Sequence, residues 1–212
     1  MQSIEHLLDK LGFKPNLIIE CIVTTTDRTG EINVAPMGVK RISSRVLQLD
    51  IFQGSKTLSN IRSTKKAVIN VINDITVFYR ALFESNFSKN EFSKSNKINT
   101  PYLKQAEAYI EVIAEDFLTR DLVTTVKLRP VAITILKQYP RGFSRCDFAV
   151  LESLIHATRI KAFMKTDRSK THELLELVKH YYEYVTRRCS EKPYREVMSR
   201  LLELIHSWMG EK

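Results

Sequence analysis

The segments Asn33-Val-Ala-Pro-Met-Gly38, Phe52-Gln-Gly-Ser-Lys-Thr57, Asn60-Ile61 and Val68-Ile-Asn-Val-Ile-Asn-Asp74 decide how this chain is read. Between them lies a strong strand signal, 45–52, in which the apolar Val46, Leu47, Leu49, Ile51 and Phe52 cluster. Shorter strand signals stand at 31–34 and 37–42, which leaves Ala35-Pro36-Met37-Gly38 as a small-residue turn. Gly54-Ser55-Lys56-Thr57 is a second turn, and it opens a short helical pattern at 56–63. Residues 66–72 then read as a buried strand.

Working outward, Ile4, Leu7, Leu8 and Leu11 have helical spacing over 2–11, with Gly12 closing the helix and Pro15 preventing its resumption. Residues 17–25 are a strand, and Asp27-Arg-Thr-Gly30 is a turn by composition. Residues 75–83 carry helical spacing, with Asn73 and Asp74 placed to cap them, while the polar 84–100 segment reads as a surface loop. Strand patterns return at 106–116 and 122–137, where Pro130 implies an edge position or a bulge. Six or seven strands with short turns favour a closed antiparallel barrel over a parallel α/β sheet. After Pro140 three amphipathic helices follow: Ser144-Arg-Cys-Asp147 has the form of a capping box for the first, and Pro193 fits the first turn of the third. The expectation is an α+β, mainly β fold: an antiparallel six-stranded barrel over 1–140 and a three-helix subdomain over 141–212.

The chain has 212 residues and a formal charge of +9, from 33 Lys+Arg against 24 Asp+Glu. The basic excess is spread out, without a dense Lys/Arg block or a zinc-finger or RNA-recognition pattern. That argues for a solvated lysine-rich surface and against nucleic-acid binding. Neither a membrane-spanning run nor a signal-peptide pattern stands in the sequence, so a cytoplasmic protein is expected. Cys21, Cys146 and Cys189 lack the Cys-x-x-Cys spacing of a metal or redox site and read as reduced thiols. Cys21 reads as a small core hydrophobe.

The two turns carry the chemistry. Ala35, Pro36, Met37, Gly38 and Val39 would let main-chain donors approach the polar edge of a flat ring; Pro36 stiffens the turn and Gly38 removes a side chain. An ordinary barrel turn has the same composition. Gly54, Ser55, Lys56 and Thr57 combine free N–H groups, a helix dipole, two hydroxyls and an ammonium, which together suit an anion. A plain N-cap by Ser55 is the alternative. The segment is not a Walker loop, because the second glycine is missing. Asn60 falls on the side of the turn, and Asn70 is placed to tie the helix to the sheet. A flat ring on one turn and a phosphate on the other point to flavin mononucleotide (FMN). Lys40 or Arg41, if directed inward, would stabilise a reduced flavin. His156, near Glu152 and Arg159, is either an acid–base group or an interface residue.

Together these segments resemble the FMN-binding split-barrel proteins, the flavin reductase-like group, and more narrowly a mainly archaeal family with a helical C-terminal extension. The resemblance rests on Glu20-Cys-Ile-Val-Thr-Thr25, Asn33–Val39, Ile51–Thr57, Val68-Ile-Asn70 with Asp74, and Val150-Leu-Glu-Ser-Leu-Ile-His-Ala-Thr-Arg159. It implies a split barrel and a homodimer with FMN near the subunit interface, the ring along 35–39 and the phosphate at 54–57. Lys56-Thr57-Leu-Ser-Asn60-Ile61 is similar to the Lys-Asp-Thr-x-x-Asn-Ile segment of flavin reductases but lacks the Asp. The implied activity is a flavin-dependent oxidoreductase. With no Rossmann glycine fingerprint in the chain, a nicotinamide donor would stack on the flavin from solvent. The alternative is a non-catalytic flavin or phosphate-ligand binder whose helices dock a partner or dimerise.

Overall fold

The computed structural model describes residues 3–15, 18–137, 145–189 and 192–210. These form two compact units, Met1–Asn73 with Arg80–Pro140, and Asp74–Tyr79 with Arg141–Lys212.

The first unit is a closed antiparallel barrel of strands β1 (Ile18–Thr26), β2 (Ile32–Ser43), β3 (Val46–Phe52), β4 (Lys66–Val71), β7 (Ala108–Arg120) and β8 (Val123–Ile135). Around the barrel the order is β1-β2-β3-β8-β7-β4, and two further short strands, β5 (Phe92–Lys94) and β6 (Pro101–Leu103), pair apart from it. Alternation fills the interior: Cys21 and Val23 from β1, Leu47, Leu49 and Ile51 from β3, Ile69 from β4, and Val126 and Leu128 from β8 are all buried in one cluster. Each large aliphatic side chain so buried stabilises the fold by roughly 1.5–3 kcal/mol. The helix α1 (Ile4–Lys10) adds Leu8, and α2 (Lys56–Thr64) adds Leu58 and Ile61 to the same cluster.

Five expectations are corrected between residues 31 and 100. Residues 31–34 and 37–42 are not two strands around a turn but one continuous strand, β2, paired with β1 from Ile32↔Thr26 to Lys40↔Ile18. The Ala-Pro pair is tolerated there because β3 does not reach it. The β2–β3 ladder runs only from Val39↔Leu49 to Ser43↔Val46. A proline costs no ladder bond on a strand edge that no neighbour uses. The helix expected at 75–83 is α-helical only over α3 (Ile75–Tyr79) and then widens into a π-helical turn at Arg80–Glu84.

The segment 84–100 is likewise not a plain surface loop. It carries a 3-10 turn at Lys89–Glu91 and pairs β5 with β6. Buried barrel side chains hold it. The Glu111 carboxylate accepts from the backbone N–H groups of Asn96, Lys97 and Ile98 at 3.2, 2.7 and 2.8 Å, and Asn70 accepts from Leu103 N at 2.8 Å. Three main-chain donors on one carboxylate offset its removal from water. Asn70 therefore ties this insert and β1 to β4, and does not bond to α2. Arg41 does not face a ligand: it is buried, donating to Asp9 at 2.8 Å, to the Phe13 carbonyl at 2.9 Å and to the Ser43 carbonyl at 3.0 Å, which locks α1 onto β2. That contact holds the Asp9 carboxyl below its usual range.

Pro130 behaves as its position implied. It stands opposite Val112 at a register shift in the β7–β8 ladder, beyond the end of β3, so neither neighbour needs its missing N–H.

The second unit contains α3, α4 (Arg145–Phe163), α5 (Arg168–Arg188) and α6 (Lys192–Met209). Helix α4 packs on α5 and α6, and α3 packs on α4 and α6. Asp74 caps α3 through the Thr76 N–H at 2.9 Å, Asp167 caps α5, and Pro193 lies in the first turn of α6. Ser144, the first residue of the expected capping box, lies outside the described residues. The reading of three reduced thiols is corrected here: Cys146 and Cys189 form a disulfide joining the start of α4 to the end of α5, and only Cys21 is free and buried. Residues 43 apart give no spacing signal, so only tertiary contact could reveal the pair. Among the described residues no helix is long and apolar enough to cross a membrane, and no group of three or more His, Cys, Asp or Glu side chains could hold a metal ion.

Candidate functional site

The site is built where β2 is left uncovered. Residues 32–38 are all half-buried, on both faces of the strand, whereas Val39, the first to pair with β3, is fully buried. Met37 and Val39 turn into the barrel core. What Ala35, Pro36, Met37, Gly38 and Val39 can offer a ligand is therefore main chain and the Pro36–Gly38 face. On that face Gly38 has a structural duty as well. A Cβ there would lie 2.8 Å from Ile18 Cγ2 and 3.3 Å from Glu20 Oε1, so the space is filled by the neighbouring strand and is not an empty cradle.

Helix α2 sits beside this strand and splits the second predicted group. Gly54 takes φ +79°, a left-handed conformation that favours glycine, and releases the chain from β3 into the helix. Ser55 is the N-cap and accepts from Leu58 N. Gly54 and Ser55 line a groove of about 520 Å³ with Ser59, Arg62 and Ser63. Lys56 points to the other side, where it pairs with Glu31. Thr57 is buried and accepts from the Asn33 side-chain amide at 2.9 Å. Asn60 is buried too, donating to Thr25 at 3.1 Å, so it fastens α2 to β1. The structure thus joins Asn33, Thr57 and Lys56 at the start of β2, and separates them from Gly54 and Ser55 by the body of the helix.

A cleft of about 790 Å³ opens on the Lys56 side, within the size range of small-molecule sites. One wall is the β1–β2 hairpin, Thr29 to Val34, held by the Asp27 carboxylate, which accepts from Thr29 N and Glu31 N at 2.9 Å each. The opposite wall is the insert, through Ser85, Phe87, Lys89 and Phe92. Arg80 organises that wall. Its guanidinium lies 4.4 Å from the Phe87 ring centre and donates to both Glu91 carboxylate oxygens at 2.9 Å, which keeps that carboxyl below its usual range. Sequence reasoning missed Glu31, Phe87, Lys89 and Phe92. The usable signal was Phe87 and Phe92 standing in an otherwise polar run.

The residues present suit FMN in kind: an uncovered strand edge with main-chain polar groups, an ammonium at Lys56 with the Thr57 hydroxyl and the Asn33 amide beside it, and a cleft of matching size. His156, in contrast, belongs to the helical unit. It is buried beside the Tyr181 ring, its Nδ1 meets no hydrogen-bond partner among the described residues, and burial lowers its pKa below the usual histidine value.

The strand order and the unpaired half of β2 define a split barrel. Residues 19–137 match the family described as "Protein of unknown function (DUF447) N-terminal domain", and 144–203 match "Protein of unknown function (DUF447)". The chain belongs to this family. Its structure is similar to that of the FMN-bound protein MM1853 from Methanosarcina mazei, of the same family, with 26% identity and a TM-score of 0.77 over 93% of this chain and 99% of that one. It shares its fold with an FMN-binding protein from Thermus thermophilus with bound p-hydroxybenzaldehyde, at 12% identity and a TM-score of 0.50 over 56% of this chain and 71% of that one. It also shares its fold with flavoredoxin from Methanosarcina acetivorans, at 15% identity and a TM-score of 0.50 over 58% and 72%.

Proposed function

We propose that this chain binds FMN and acts as a flavin-dependent oxidoreductase, with the barrel (1–140) carrying the cofactor. The observation that carries the reading is the uncovered edge of β2 at 32–38 leading into the cleft that Lys56 borders. The similarity to an FMN-bound member of the same family supports it. The ring lies along the main chain of 35–39, and the phosphate lies at 54–57. Thr57 accepts one hydrogen bond from Asn33 and keeps its own proton to donate to a phosphate oxygen beside Lys56, while Ser55, on the other side of α2, caps the helix whose N-terminus faces the anion. Asn60 positions α2 through Thr25, and Val39 contributes main chain only. Bound there, FMN supplies hydride and electron transfer, while the protein orients and shields it.

A homodimer with FMN near the interface completes the reading. The apolar set Phe52, Leu118 and Leu122, at the end of β3 and the β7–β8 hairpin, is 70, 48 and 73% exposed and supports it. A nicotinamide nucleotide serves as electron donor. One observation favours the second reading, a non-catalytic binder with a helical docking or dimerisation module (141–212): the titratable side chains lining the cleft are Glu31, Lys56 and Lys89, with no His, Cys or Asp among them. Purified protein should be yellow and release FMN on heating. A colourless protein that micromolar FMN cannot reconstitute overturns the proposal. Bleaching of the flavin by NADH or NADPH selects the oxidoreductase, and its absence the binder.

A further inference from the structure

The cleft has two chemically distinct sides, one on the barrel and one on the insert. The barrel side holds Asn33 and Lys56, and the FMN reading uses it. The insert side holds Phe87, Phe92 and Lys89, and nothing so far has used it. Resting on the FMN reading, we propose that the insert side is the substrate subsite, and that it selects a flat, anionic molecule whose ring lies against Phe87 and Phe92 and whose carboxylate or phosphate meets Lys89.

Three observations carry this. The wall is preorganised: Phe87 and Phe92 stand 6.2 Å apart between ring centres, and the Arg80 guanidinium supports Phe87. The backbone bearing Lys89 is fixed by the Ser88–Glu91 capping box, in which Glu91 accepts from Ser88 N at 3.0 Å. A rigid apolar wall binds a flat ring with little loss of side-chain freedom.

The local charge is positive. The cleft carries two ammoniums, Lys56 and Lys89, and one carboxylate, Glu31, which is already joined to Lys56. Glu91, two residues from Lys89, has both oxygens on Arg80. The cofactor phosphate draws on Lys56, so Lys89 is the cation left for a second molecule. Finally, the insert is held to the barrel by the buried groups Glu111 and Asn70, so the subsite keeps its place beside the uncovered edge of β2.

The test uses the full chain loaded with FMN and two probes of equal shape, naphthalene-2-carboxylate and naphthalene-2-carboxamide, titrated by calorimetry. The carboxylate should bind about tenfold tighter, the size of one charge-assisted hydrogen bond. Lys89→Ala should abolish that preference and Lys89→Arg should retain it. FMN affinity, followed by flavin fluorescence, should stay within about twofold in both variants, because the FMN reading assigns the phosphate to Lys56 and leaves Lys89 out. Equal binding of the two probes to the parent chain, or a preference that survives Lys89→Ala, overturns the subsite. A Lys89→Ala protein that loses FMN about tenfold assigns Lys89 to the cofactor; that overturns the subsite and upholds the FMN reading. If the chain takes up no FMN, that reading falls, and the same probe comparison on the FMN-free chain decides the subsite alone.

Discussion

Asn33, on the uncovered part of β2, donates its side-chain amide to the Thr57 hydroxyl on α2 at 2.9 Å. This bond joins the strand proposed for the flavin ring to the helix proposed for the phosphate. Asn33→Ala should cost about 1 kcal/mol in urea unfolding and weaken FMN binding. In Thr57→Val the same bond is lost from the other side. The double variant should therefore cost clearly less than the sum of the two single changes. Strict additivity would show that the two side chains act independently.

Glu31 and Lys56 form an ion pair at the mouth of the cleft, with both side chains about half exposed or more. An exposed pair of this kind contributes little to stability, on the order of 0.2–1 kcal/mol, and in the proposed site the same ammonium faces the cofactor phosphate. Lys56→Ala should weaken FMN by about tenfold. Glu31→Gln removes the internal competitor for the ammonium and should tighten FMN a few-fold. Thermal unfolding should barely move in either variant. Weaker FMN binding by Glu31→Gln would mean that the carboxylate holds Lys56 in place for the ligand.

Gly38 has no room for a side chain, since its Cβ would meet Ile18 Cγ2 at 2.8 Å. Gly38→Ala should destabilise the barrel by about 1–3 kcal/mol through overpacking. Ile18 is largely exposed, so Ile18→Ala should by itself cost little and should restore most of the loss when combined with Gly38→Ala. Failure of that rescue in a denaturant titration would place the strain elsewhere.

The Cys146–Cys189 bridge closes a loop of 43 residues in the helical unit. Chain-entropy arguments put its contribution at about 4 kcal/mol. The double Ser variant, or the wild type under strong reductant, should show a lowered thermal midpoint in far-ultraviolet circular dichroism, where the helices dominate. A midpoint insensitive to reductant would show that the bridge adds nothing to stability.

His156 titrates below its usual value because burial disfavours the imidazolium, with Glu152 opposing and Arg159 adding to that effect. As pH falls through the ordinary histidine value of about 6.5, the unfolded chain takes up the proton first. Unfolding is then favoured, and the helical unit loses stability as the pH drops further toward the lowered folded value. His156→Phe should flatten this dependence between pH 7 and 5. An unchanged slope in thermal melts across that range would assign the dependence to other groups.

The barrel was legible because its strands carry their own pattern: apolar residues alternate at 45–52, the run at 66–72 is rich in Val and Ile, and Gly54-Ser55 marks the entry to α2 without outside help. By sequence the Ala35–Gly38 segment reads as a turn, because Pro and Gly punctuate most chains. Whether a proline breaks a strand depends on whether a neighbour needs its N–H, and the short reach of β3 is a long-range fact. Arg41 shows the same limit, because nothing local reveals that Asp9 and the Phe13 carbonyl converge on it.

By itself the sequence determined the strands at 17–25, 45–52 and 66–72, the helices α1, α2 and α4 to α6, the cap at Ser55, an edge or a bulge at Pro130 and the pairing of a small-residue segment with a hydroxyl-rich helix start. Local periodicity and turn chemistry act over a few residues, and the sequence shows them directly. Tertiary structure alone decided that β2 is half uncovered, that α2 sends Ser55 and Lys56 to opposite sides, that Cys146 meets Cys189, and that a polar run becomes a cleft wall. Each of these depends on which distant groups share space, and no residue carries that information in its neighbours along the chain.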